Sequence, residues 1–177
     1  PAYFVDNTEY DRDHWERFSA GVLPITGDNY LQRSNYQINM SAFMLLGDWF
    51  DYLKENGVYD NTRIIVVSDH GWILGQMPDK ILPKGEDVMH YAALLMVKDF
   101  NQHGEPETDF TFMTNADTPW LAVHGVLESG SNPFTGRPLE GSAYKAEAQY
   151  VSMNHESNPE HDTGTTFMPS DWYTVKD

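Results

Sequence analysis

The stretch Ile64-Ile65-Val66-Val67-Ser68-Asp69-His70-Gly71 decides how this chain is read. Four β-branched residues in a row, bounded by turn-forming residues, predict a short strand buried on both faces, the pattern of a parallel sheet. The strand ends on an acid and an imidazole, and Gly71 follows, where the chain is free to turn sharply. In open α/β sheets, ligands bind outside the carboxyl ends of the strands. Asp and His are both ligands for first-row metals, so adjacent residues at such an exit are able to address one ion. The plainer alternative is a capping Asp beside a surface His. The strand before the pair and the glycine after it favour the functional reading.

Outward from this point the chain reads as α/β. Residues 36–56 carry apolar side chains at helical spacing: Tyr36, Met40, Phe43 and Phe50, with Leu46 and Leu53 half a turn around. Gly57 stands where a left-handed stop belongs, and 58–62 is a turn by composition. Trp49, Phe50 and Tyr52, with Trp120 further on, are expected in the core. Downstream, 71–85 is punctuated by Gly and Pro, and 93–97 is a second buried strand. A further helix is expected with Thr118 as N-cap and Pro119 at N1. It would carry Trp120, Val123, His124 and Leu127 on one stripe and close at Gly130, with His124 packed in the core. Residues 1–33 are irregular, with one extended candidate at Tyr3-Phe4-Val5. Residues 131–177 form a polar extension with one short strand or helix at 143–153. The organisation expected is one partial domain over 1–177, with its α/β core at 34–130. The first and last residues read as cuts within a longer protein.

Composition narrows the function classes. The 27 acids outnumber 11 bases, a formal net charge of −16. Such a chain repels phosphate backbones and anionic lipid surfaces, which excludes a nucleic-acid binder. Either its substrate is not an anionic polymer, or a bound cation and local bases mask the field; most of the acids serve solubility. Cysteine is absent, so no disulfide, Cys-ligated zinc or Cys nucleophile is available within the chain. The aromatic share of 14% argues against disorder. The apolar runs fall well short of the roughly 18 residues of a membrane helix.

The segment Asp60-Asn61-Thr62-Arg63-Ile64-Ile65-Val66-Val67-Ser68-Asp69-His70-Gly71 resembles the C-terminal metal-binding signature of the alkaline phosphatase superfamily. It is most similar to the sulfatase-like branch, which includes lipoteichoic-acid-synthase-type phosphoglycerol transferases and phosphoethanolamine transferases. The helix ending Asp48-Trp49-Phe50-Asp51-Tyr52-Leu53-Lys54-Glu55-Asn56-Gly57 resembles the one before this motif. Ala92-Ala93-Leu94-Leu95-Met96-Val97-Lys98-Asp99-Phe100 resembles the strand after it, without the family's usual Pro. Thr114-Asn115-Ala116-Asp117-Thr118-Pro119-Trp120-Leu121 resembles the next helix start. The likeness runs over about 36–130, in the family's order.

The resemblance implies the C-terminal portion of an alkaline-phosphatase-like fold, a mostly parallel sheet flanked by helices. It assigns Asp69 and His70 as metal ligands, and it places the nucleophile and the first carboxylate upstream of Pro1. The ion would be Zn²⁺ or Mn²⁺, with Ca²⁺ or Mg²⁺ as second choices, since Ca²⁺ prefers oxygen ligands throughout. Lys80 and His90 are candidate substrate contacts; the plainer readings are a solvated loop lysine and a structural strand-entry histidine. His14, in an Asp-x-x-His spacing, and His161, near the C-terminus where the family often has a further metal ligand, are two more candidates. His155 and His161 are six residues apart around Pro159, which is not a one-face helical spacing.

The expected activity is hydrolysis of a sulfate or phosphate ester. Transfer of phosphoglycerol or phosphoethanolamine to an envelope lipid or glycan is the alternative within enzymes. A non-catalytic fragment or interaction module is the alternative outside them. The implied partners are an anionic ester on a glycan or lipid, no nucleic acid, and the N-terminal half of the same catalytic domain. The implied setting is the extracellular or cell-surface part of a membrane-anchored protein.

Overall fold

The computed structural model describes residues 29–83, 85–132, 136, 138–139, 148–152 and 172–176. Tyr3-Phe4-Val5, His14, His155, His161 and most of 143–153 lie outside them. The chain divides into two compact units, Pro1–Gly104 and Glu105–Asp177, a division that falls inside the stretch read above as one core. Both units mix helix with short antiparallel strands.

The first unit is built on helix α1 (Tyr30–Glu55), which starts six residues earlier than the apolar spacing predicts. Asn29 is the reason: its Oδ1 accepts from the Leu31 and Gln32 amides, each at 3.1 Å, and so caps the first turn. The far end closes as predicted. Gly57 sits at φ +67°, its amide donates to the Lys54 carbonyl at 3.0 Å, and the Val58 amide donates to the Leu53 carbonyl at 3.0 Å. These paired bonds satisfy the last carbonyls of the helix. Leu53 is buried, and Phe50, one turn back, meets Tyr59 edge-on at 6.0 Å. Trp49 and Tyr52, expected in the core, are 43% and 60% exposed. Each precedes an inward-facing residue by one position, which turns it about 100° away on a 3.6-residue helix.

Strand β1 (Ile64–Val67) pairs with β2 (Leu95–Lys98) in a two-stranded antiparallel sheet, with Ile64 opposite Lys98 and Val67 opposite Leu95. This corrects two expectations. The pairing is antiparallel, because the chain that leaves β1 at Ser68 returns beside the same end: the Ser68 amide donates to the Leu94 carbonyl at 3.0 Å, and the Leu94 amide donates to Ser68 Oγ at 2.7 Å. A parallel partner would first have to cross back to the start of β1. Nor is β1 buried on both faces: Ile64 is buried, Ile65 and Val66 are half-buried and Val67 is exposed. At the other end of the pair, Arg63 meets the Asp99 carboxylate at 2.9 Å with its guanidinium over the Phe100 ring. Lys98 Nζ donates to the Tyr59 and Thr62 carbonyls and lies 4.1 Å from the centre of the Tyr59 ring.

The second unit holds a 3₁₀ turn at Asn115–Asp117, helix α2 (Thr118–Val123), and strands β3 (Gln149–Ser152) and β4 (Trp172–Val175), paired antiparallel. The cap of α2 is Asp117 rather than Thr118. The Asp117 carboxylate is buried and accepts from the Thr114 amide (2.6 Å) and hydroxyl (3.1 Å), which folds the turn that feeds the helix. The helix ends at Val123, with Gly125 at φ +72°, short of the expected Gly130. His124 is therefore exposed instead of packed in the core, and its ring stacks on Trp120 at 4.5 Å. β3 falls within the predicted 143–153 segment; β4, which that reading left in the polar extension, is the aromatic and β-branched run Trp172-Tyr173-Thr174-Val175, a local strand signal of its own.

Two glycines of the first unit should respond oppositely to alanine. Nothing lies within 4 Å of a Cβ added at Gly47, inside α1, so Gly47→Ala should stabilise by about 0.5–1 kcal/mol through helix propensity alone. Gly57→Ala forces a side chain into the left-handed region and should destabilise by about 1 kcal/mol. Paired urea titrations of the two variants check the signs.

Candidate functional site

The site is the exit of β1. Asp69 and His70 leave the strand at its carboxyl end with side chains 86% and 46% exposed. Asp69 Oδ1 accepts from the His70 amide at 2.9 Å, which holds the carboxylate back against its own backbone. His70 Nδ1 lies 2.6 Å from the Gly71 carbonyl oxygen. A carbonyl only accepts, so Nδ1 carries the hydrogen and Nε2 keeps its lone pair in the neutral ring. That Nε2 faces Asp69 Oδ2 at 3.6 Å.

This geometry carries chemical information. A carboxylate oxygen and an imidazole lone pair are both acceptors, and 3.6 Å is too long for a hydrogen bond between them. They attract only when positive charge stands between or on them. With zinc bonds of about 2.1 Å and tetrahedral angles, two ligand atoms on one ion would stand about 3.4 Å apart. The spacing therefore fits either an ion pair with a protonated imidazole or a shared divalent cation. Among the described residues, no group of three or more His, Asp or Glu side chains converges on one point. The described part of the chain thus offers a pair of donors to such an ion.

Gly71 fixes what stands behind the pair. A Cβ built on it would lie 1.9 Å from the Met89 carbonyl oxygen and 2.9 Å from that of Ala92. Its φ is not in the left-handed region, so close backbone approach, rather than turn freedom, is what requires glycine here. The Gly71 amide donates to the His90 carbonyl at 2.8 Å, fastening the 3₁₀ turn Val88–Tyr91 to the strand exit. The Asp87 carboxylate caps that turn on the Met89 amide at 2.9 Å, Met89 is buried beneath it, and the Tyr91 hydroxyl donates to Glu86.

His90, read from the sequence as a substrate contact or, more plainly, a structural strand-entry histidine, is carried by this turn onto His70. The two rings stack at 5.3 Å between centroids and 14° between planes. Trp72 lies 6.2 Å from the His70 ring and is 50% exposed. Its sequence signal is an aromatic residue directly after an Asp-His-Gly turn. The Trp72–Leu74 loop is tied to the start of α1, where buried Gln32 donates from Nε2 to the Leu74 carbonyl at 2.8 Å. Lys80 lies exposed on the following loop, its amide donating to the Met77 carbonyl and its carbonyl accepting from the Val88 amide.

No protein-family model matches the chain, and no solved structure matches it. No described helix is long and apolar enough to cross a membrane.

Gly71→Ala should cost about 1–3 kcal/mol, because the added methyl group meets backbone that has nowhere to yield without moving the turn. Thermal unfolding of this variant beside wild type checks the loss.

Proposed function

We propose that this chain is the C-terminal part of a sulfatase-like catalytic domain with an alkaline-phosphatase-like fold. In this reading Asp69 and His70 hold a divalent ion, Zn²⁺ or Mn²⁺, that serves the hydrolysis of a sulfate or phosphate ester. The observation that carries the reading is the 3.6 Å spacing between His70 Nε2 and Asp69 Oδ2 at the end of β1. The order of the motifs around it adds support.

A bound divalent ion lowers the pKa of a coordinated nucleophile and stabilises the charge that develops on an ester's non-bridging oxygens. The chain's own residues have simpler tasks. Asp69 offers one carboxylate oxygen while its other oxygen is held by the His70 amide. His70 offers Nε2 because the Gly71 carbonyl holds the hydrogen on Nδ1. A chain of net charge −16 repels anionic esters, so a cation here also supplies the local reversal of sign that such a substrate needs. The nucleophile and first carboxylate are assigned to the N-terminal half of the domain, outside this chain. The substrate is a sulfated or phosphorylated glycan or lipid, met at the cell surface by a membrane-anchored protein.

In the longer protein, Asp69→Ala and His70→Ala should each lower bound metal and turnover of an aryl sulfate or aryl phosphate by at least about 100-fold, above what losing a metal's outer-shell partner costs. Both side chains are open to solvent, so the melting temperature in chelator should move little. The double variant should be hardly worse than either single one, because the two ligands act as a unit. Wild-type metal content and rate in both single variants would refute the assignment.

A further inference from the structure

His90 lies outside the pair assigned to the metal, yet the fold spends several interactions on placing it. Its carbonyl receives the Gly71 amide at 2.8 Å, its turn is capped by Asp87, and its neighbour Met89 is one of the few buried apolar residues described. The result is a half-buried imidazole lying nearly parallel to His70. His70 has two degrees of freedom that matter for binding a cation: which nitrogen carries the hydrogen, and which way the ring points. The Gly71 carbonyl addresses the first in the ring plane. A hydrogen bond to a backbone atom only one residue away leaves the ring free to swing on a side chain that is 46% exposed. Contact on the face of the ring removes that freedom, and His90 supplies it.

We infer that His90 is a positioning residue: its ring, stacked on His70, holds the His70 imidazole with Nδ1 on the Gly71 carbonyl and Nε2 beside Asp69. The role belongs to the flat ring and not to its nitrogens, so an aromatic ring without nitrogen should fill it. The placement of His70 stands on its own geometry; only its consequence for metal affinity rests on the function proposed above.

The test uses the whole chain, uniformly ¹⁵N-labelled, at about pH 8.5, two units above the ordinary imidazole pKa of about 6.5. Long-range ¹H–¹⁵N spectra report which nitrogen of each histidine is protonated, and loss of one signal set in His70→Gln assigns His70. Wild type should show His70 with the hydrogen on Nδ1. His90→Ala should turn this into a mixture of tautomers, and His90→Phe should keep the wild-type pattern. Titration with Zn²⁺ alone, followed on the His70 signals, should show binding weakened about 10-fold in His90→Ala, the lower end for losing an outer-shell partner. In His90→Phe it should stay within about 3-fold of wild type. An unchanged His70 tautomer in His90→Ala would overturn the inference. So would loss of the wild-type tautomer in His90→Phe, a reading that stands even if the alanine variant fails to fold. A Zn²⁺ affinity that falls as far in His90→Phe as in His90→Ala would make His90 a ligand, which also overturns it. A tautomer that responds as expected, in a chain that takes up no Zn²⁺, would uphold the positioning role and refute the proposed function instead.

Discussion

The candidate site depends on one close approach, that of Gly71 to the carbonyls of Met89 and Ala92. With no side chain at 71, the backbone after β1 lies directly against the 3₁₀ turn Val88–Tyr91, and the Gly71 amide closes the contact on the His90 carbonyl. Everything at the strand exit follows from it. The Gly71 carbonyl is presented to His70 Nδ1, the turn brings the His90 ring over His70, and buried Met89 anchors the turn from below. The same approach sets the sheet. A chain folded back this tightly at Ser68 and Leu94 returns antiparallel to β1, so the pair that leaves one strand stands beside the entry to the other.

Electrostatics then gives the arrangement a direction. The chain is strongly acidic, and the exit of β1 sets a carboxylate oxygen against an imidazole lone pair in solvent-exposed positions. Two acceptors facing each other are stable together where positive charge joins them. A proton on the ring supplies one such charge and a divalent cation supplies two, with bonds to both partners. The donor types match an intermediate ion such as Zn²⁺ or Mn²⁺ better than the all-oxygen preference of Ca²⁺.

Much of this was legible in the sequence, and the parts that were not share a cause. The β-branched run at Ile64–Val67, the glycine stop at Gly57 and the exit of Asp69 and His70 are local features, set by side-chain branching, backbone φ and position along the strand. The direction of β2 was not local: it depends on where the chain from 68 to 94 returns, which no periodicity encodes. The cap at Asn29 was hidden because the apolar spacing of α1 begins several residues after the helix does. Apolar spacing places Trp49 and Tyr52 inward because they lie next to inward-facing residues, and a single step on a helix is enough to reverse exposure. At the candidate site, the sequence pattern singles out Asp69 and His70 as a pair. It saw Gly71 as a turn where the fold needs a gap, and it could not see that a histidine 20 positions later lies on the first one. Ring stacking across such a distance is a property of the assembled turn, not of any motif.

In the proposed function, Asp69 and His70 bind one divalent ion between them. Anomalous diffraction from crystals of this chain grown with Zn²⁺ tests it most directly. A zinc peak is expected about 2.0–2.2 Å from both His70 Nε2 and an Asp69 carboxylate oxygen, with His70 Nδ1 still on the Gly71 carbonyl. A map in which these two side chains are well ordered and zinc is absent between them would contradict it.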